Sequence, residues 1–142
     1  MFKFLKLWFK GKVNKSSKSS TPSTPADTTD YKKIAIVVGH TAASKGMTTY
    51  LKMSEYDFNN MVANNLVSSK KEIKVFYRDN GGLKGAMTRA ASWGADLVIE
   101  LHLNGFSKVA YGATVLVPQN DSVSLALAKK WLKDFCTKFE IR

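Results

Sequence analysis

The feature that most constrains the fold is an uninterrupted apolar run at residues 34–38. Its sequence is Ile-Ala-Ile-Val-Val, and Gly39 and His40 follow it directly. A run without polar alternation is typical of a strand buried on both faces, and such strands occur in parallel sheets that helices cover. The run therefore predicts an α/β core rather than a helical bundle or a sandwich.

The rest of the chain, from residue 40 on, alternates helix-like and strand-like patterns. Ser54 is expected to cap the first helix, with Asp57 in the capping-box position. Strands are predicted at 73–77, 97–103 and 113–117, and two further helices at 83–90 and 121–138. This order predicts an α/β fold with a mostly parallel sheet flanked by helices. Ligands of such sheets bind at the carboxyl ends of the strands.

The N-terminal segment carries much of the charge. The chain has 22 basic and 11 acidic residues, a net charge of +11, and residues 1–18 contain lysines but no acid. On a helix, three lysines would share one stripe and three apolar residues another: Lys3, Lys6 and Lys10; Phe2, Leu5 and Phe9. Residues 1–13 are thus predicted to form a basic amphipathic helix, and residues 1–18 to bind an anionic membrane or envelope surface. A disordered basic tail is the alternative.

Composition divides the chain into three parts. The lysines interrupt the apolar stretch that a cleavable signal peptide needs, and no A-x-A site follows it. Residues 14–30 are rich in Ser, Thr and Pro and are predicted to be a flexible linker. Residues 31–142 form the predicted domain.

No predicted helix of this domain carries a basic stripe interleaved with aromatics, so we expect no nucleic-acid partner.

The chemistry-bearing residues gather at one predicted edge of the sheet. The chain has two histidines: His40 follows the first strand of the domain, and His102 lies near the end of the strand at 97–103. Glu55 opens the helix that follows the loop after His40. Two imidazoles and one carboxylate form a set that binds catalytic zinc with an open fourth position. Hydrogen-bonded structural histidines are the alternative. The single cysteine, Cys136, excludes a Cys-rich zinc site.

Several segments, taken in order, resemble the zinc-dependent N-acetylmuramoyl-L-alanine amidases of the amidase-3 family. They are Ile34–His40, the segment Ser54–Asn59, Val75–Asp79, the helix Leu83–Ala91, Glu100–Asn104 and Gly112–Thr114. The Glu-Leu-His-Leu-Asn segment is similar to a form that is frequent in phage endolysins. The resemblance covers about residues 33–138.

The resemblance implies a function at the bacterial cell wall. It implies zinc held by His40, Glu55 and His102, and hydrolysis of the amide bond between N-acetylmuramic acid and L-alanine in peptidoglycan. Asn104 is then a candidate substrate-binding residue, although it can equally bond to a loop or terminate the strand. The place of action would be periplasmic or extracellular, or that of a phage lysin released at lysis.

The chain departs from the family pattern at its C-terminal end. The family's general base is a glutamate on a late strand, and this chain ends before such a strand, so the final strand or strands are expected to be missing. Glu100 is the internal candidate for the catalytic role. Because it lies two residues from His102 on the same face of a strand, it is also a candidate for orienting that histidine. The alternative function is a catalytically impaired, amidase-like module that binds peptidoglycan.

Overall fold

The computed structural model describes residues 5–10, 31–49, 51–66, 71–103 and 112–140. Within these ranges lie five strands and three helices, in the order β1 (Leu5–Lys10), β2 (Lys33–Val38), α1 (Glu55–Leu66), β3 (Glu72–Phe76), α2 (Gly82–Ser92), β4 (Leu97–Leu103), β5 (Ala113–Leu116) and α3 (Ser122–Lys138). From residue 33 onward this is the predicted order of strands and helices. No helix in these ranges has the length and apolar character needed to cross a bilayer.

The strands form one sheet in the order β3-β2-β4-β1-β5. β2 pairs in parallel with both β3 and β4, and β1 pairs in parallel with β5 and antiparallel with β4. The prediction of an α/β fold with a mostly parallel sheet is therefore confirmed. Since Val38 at the end of β2 is in register with Leu101 of β4, the residues that follow β2 lie beside His102.

Helices cover both faces of the sheet. On one face Ile36, Val38 and Leu101 pack with Ala63 of α1 and Ala128 of α3. On the other face the cluster contains Ala35 and Val37 of β2, Phe76, Val98, and Ala86 and Ala90 of α2. The prediction that the apolar run is buried on both faces is confirmed.

The capping prediction for α1 is also confirmed. The hydroxyl of Ser54 accepts a hydrogen bond from the backbone N–H of Asp57 at 3.1 Å and donates to the Asp57 carboxylate at 2.6 Å. These bonds satisfy an otherwise free donor of the first turn. They also fix where the helix begins, and Glu55 is its first residue.

The helix predicted over residues 1–13 is wrong for Leu5–Lys10, which form strand β1. The backbone of β1 lies between β4 and β5, with Leu5 opposite Leu103 and Lys10 opposite Val98. Apart from Trp8, the sequence of this segment also alternates, with apolar residues at 5, 7 and 9 and lysine at 6 and 10, which is the period of a strand. Pairing with two strands satisfies backbone groups that a short helix in water leaves exposed. The predicted linker at 14–30 lies outside the described residues.

Candidate metal centre

Three elements bring the predicted ligands together at one edge of the sheet. His40 follows β2, Glu55 begins α1, and His102 lies in β4. The Nε2 atom of His40 is 3.3 Å from Oε2 of Glu55, and Nδ1 of His102 is 3.0 Å from Oε1 of the same carboxylate. One potential ligand atom from each residue lies within 4.8 Å of the other two. The two imidazoles thus approach the two oxygens of one carboxylate.

The backbone at His40 has an unusual conformation. Its φ is 66°, in the left-handed region, which non-glycine residues enter rarely and at a cost on the order of 1 kcal/mol or more. The turn ends β2 and accompanies the approach of the imidazole to α1. Such conformations concentrate at functional sites, where the surrounding structure maintains them.

Two glycines leave room for the cluster. A Cβ atom on Gly39 would collide with the carbonyl oxygen of Leu101 and lie 2.9 Å from Nδ1 of His102. Gly46 has a φ of 73°, and a Cβ atom there would lie 2.8 Å from both Oε2 of Glu55 and Nε2 of His40. Sequence reasoning missed the role of Gly46, because a glycine in a polar loop carries no sign of what it approaches.

Glu55 is a buried anion in this cluster. Its side chain is 3% exposed, and its Oε1 atom accepts a hydrogen bond from the backbone N–H of Leu103 at 2.8 Å. Burial alone would raise its pKa, but the hydrogen bonds from His102 and Leu103, with the charges of His40 and His102, outweigh burial and lower the pKa. Glu55 is therefore ionised at neutral pH. Its place at the start of a helix favours that charge.

His102 lies between two carboxylates. Its Nδ1 atom faces Glu55, and its Nε2 atom is 3.1 Å from Oε1 of Glu100. Burial lowers the pKa of the imidazole, but the hydrogen bonds to Glu100 and Glu55 and their charges outweigh burial and raise the pKa to about 9. Without a metal ion, His102 is thus a cation at neutral pH. The proton on Nδ1 of His102 therefore occupies the position at which a metal ion would bind.

The two remaining site candidates have different outcomes. Glu100 is buried, with 3% of its side chain exposed, and its Oε1 atom also lies 3.4 Å from Nη1 of Arg78. Sequence reasoning did not pair Glu100 with Arg78, because Arg78 follows β3, β2 lies between β3 and β4, and only the sheet order brings the two residues together. Asn104 lies outside the described residues, and its substrate role stays a prediction.

The residues present fit a divalent metal ion of the zinc type. Two imidazole nitrogens and one carboxylate oxygen are the ligands of open zinc sites. The backbone at Gly46 leaves space beside Glu55 and His40 that a Cβ atom would fill. The donor set and the space beside Gly46 both involve the ligand atoms themselves, so both support binding of a metal ion here.

Comparison with known proteins gave one match. A family model described as N-acetylmuramoyl-L-alanine amidase matches residues 34–142, which include His40, Glu55 and His102. No curated protein and no solved structure matched the chain. The family match extends from β2 through α3 and so covers well over half of the 142 residues. The chain therefore belongs to the N-acetylmuramoyl-L-alanine amidase family.

Proposed function

We propose that this chain is a zinc-dependent peptidoglycan hydrolase that cleaves the amide bond between N-acetylmuramic acid and L-alanine. The observation that carries the proposal is the convergence of His40, Glu55 and His102, with one ligand atom from each within 4.8 Å of the others. It occurs at the carboxyl ends of β2 and β4, where α/β sheets bind their ligands. It also occurs within the residues that match the amidase family.

His40, Glu55 and His102 would hold the metal ion in this proposal. When bound, zinc supplies a Lewis acid that polarises an amide carbonyl and promotes the ionisation of water. The chain contributes the arrangement of the ligands. The backbone N–H of Leu103 orients the Glu55 carboxylate, and the turn at Gly39 and His40 presents the first imidazole.

The proposed substrate is the bacterial cell wall, and the proposed place of action is periplasmic or extracellular. A phage lysin released at lysis is one form that such an enzyme takes. The net charge of +11 suits a polyanionic envelope, because opposite charge raises the local concentration of the protein at that surface. Binding of the N-terminal residues to an anionic membrane stays a prediction. That prediction was argued from a helix, whereas Leu5–Lys10 form strand β1.

A second candidate is a module that binds zinc and peptidoglycan without efficient turnover. The observation that favours it concerns the two buried glutamates of the site. Glu55 contacts both histidines, and Glu100 contacts His102 and Arg78. Neither is free to accept a proton from a reacting water, and general bases contribute roughly 10²–10⁴-fold to such reactions.

Digestion of purified peptidoglycan tests the proposal. The zinc-loaded chain is incubated with sacculi, and new N-terminal alanine and new reducing sugar ends are measured separately. We expect new N-terminal alanine and no new reducing ends. Glu55→Gln should abolish the release, because it removes the anionic ligand. Glu72→Gln is the matched control, since Glu72 is exposed and begins β3, at the edge of the sheet opposite the site.

Three results would change the conclusion. New reducing ends without alanine would show that a glycosidic bond is cleaved, and would overturn the proposed reaction. Zinc binding and sedimentation with sacculi, but no release of alanine, would support the binding module instead. Equal release by the wild type and by Glu55→Gln would show that the His-Glu-His cluster is not the active centre.

A further inference from the structure

Glu100 is a buried carboxylate whose removal from water costs free energy. It lies in the middle of β4, with 3% of its side chain exposed, beside the apolar residues Val98 of the same strand and Val37 of β2. Burying a carboxylate costs several kcal/mol unless its partners are well placed, and apolar replacements of buried ion pairs are often neutral or stabilising. The partner is Arg78 at 3.4 Å, whose own Nε atom is buried and unpartnered within the described residues. Such a pair is poorly explained by fold stability.

The second contact of Glu100 points to the metal centre. The same Oε1 atom that meets Arg78 lies 3.1 Å from Nε2 of His102. A carboxylate oxygen accepts hydrogen bonds, so in this contact the Nε2–H of His102 is the donor. The other ring nitrogen, Nδ1, is then the one that can bind a metal ion, and it faces Glu55 at 3.0 Å.

We propose that Glu100, held by Arg78, is a positioning residue that fixes the ring orientation and tautomer of His102 so that Nδ1 is presented to the metal ion. The inference rests on the proposed function for the presence of zinc, and it extends that function by two residues outside the ligand set. Arg78 restrains the carboxylate, the carboxylate restrains the imidazole, and the imidazole completes the ligand set. Carboxylate partners of this kind typically change metal affinity by roughly 10–100-fold when removed.

The geometry distinguishes this role from that of a general base. A base must reach the reacting water, whereas Oε1 of Glu100 is engaged by two donors and its side chain is buried. The two roles predict opposite responses to Glu100→Gln. The amide oxygen of glutamine can still accept the Nε2–H hydrogen bond, so a positioning role is largely preserved, but glutamine cannot act as a base.

Zinc affinity is the first measurement, by competition with a chromogenic chelator. We expect Glu100→Leu to weaken zinc binding by roughly 10–100-fold and Glu100→Gln to weaken it by less than about tenfold. Arg78→Met should fall between them, because it frees the carboxylate without removing it. Glu72→Gln should bind zinc like the wild type. Unchanged affinity in Glu100→Leu would overturn the inference.

The second measurement needs no variant and so does not depend on the folding of one. Nitrogen-15 chemical shifts of His102 in the zinc-loaded wild type report which ring nitrogen is protonated. We expect a protonated Nε2 and a metal-bound Nδ1, and the reverse assignment would overturn the inference. If the wild type binds no zinc, the proposed function fails as well. If it binds zinc but the tautomer is reversed, only the role of Glu100 fails.

Discussion

Zinc binding to this chain should depend steeply on pH between pH 7 and pH 9. A histidine must lose its proton from the coordinating nitrogen before it binds metal. The pKa of His102 is raised from 6.5 to about 9 in the metal-free site. At pH 7 the imidazole is therefore about 99% protonated, and the apparent affinity is reduced about 100-fold, or ~2.7 kcal/mol. Glu55 has a lowered pKa and stays ionised throughout this range.

The expected result is a tenfold gain in affinity for each pH unit from 7 to about 8.5, with a plateau above about 9. Chelator competition over this range measures the slope. Calorimetry in two buffers of different ionisation enthalpy measures the protons released, and about one per zinc is expected at pH 7. A zinc affinity that does not change between pH 7 and pH 9 would refute the reasoning, since it would mean that no histidine with a raised pKa competes with the metal ion for its proton-bearing nitrogen.

The stability of the metal-free chain should change in the opposite direction. Because the folded pKa of His102 lies above the ordinary 6.5, its contribution to stability is complete below that pH and is lost as pH rises through about 9. The loss is on the order of 3 kcal/mol. Urea unfolding at pH 6 and pH 9, with a chelator present, measures it, and equal stabilities would contradict the assignment.

Three other substitutions and one deletion separate the site from the fold. Gly46→Ala should weaken zinc binding more than about tenfold, since its Cβ atom meets two ligands, whereas Gly94→Ala has a similar φ of 83°, meets nothing within 4 Å, and should lower stability alone. Deleting residues 1–10 should destabilise the fold by more than ~3 kcal/mol through lost backbone hydrogen bonds. An unchanged urea midpoint would instead support a detached tail. Asp121→Ala should cost ~1 kcal/mol in urea unfolding, because it removes the cap that accepts from Ser124.

Local patterns carried most of the fold prediction from residue 31 on. The apolar run at 34–38 indicated a buried strand, and Ser54 with Asp57 indicated where α1 begins. Both signals lie within a few residues, so they do not depend on the rest of the chain. The same locality explains the error at β1. The spacing of Lys6 and Lys10 fits both a helix and a strand, and pairing with β4 and β5 decides between them.

The candidate site was predictable where topology alone determines proximity. Parallel strands end at one edge, which is enough to bring His40 and His102 together. The contacts of Arg78 with Glu100 and of Gly46 with the ligands depend on sheet order and loop conformation, which no short motif encodes. The sequence thus indicated the ligands, but not the residues that support them.

The central claim is that His40, Glu55 and His102 form a zinc centre. Metal analysis of the purified chain after zinc loading and removal of loosely bound metal tests it most directly. The account predicts about one zinc per chain in the wild type and in Glu72→Gln, and none in His102→Ala or Glu55→Gln. One zinc per chain retained in His102→Ala, or none in the wild type, would contradict it.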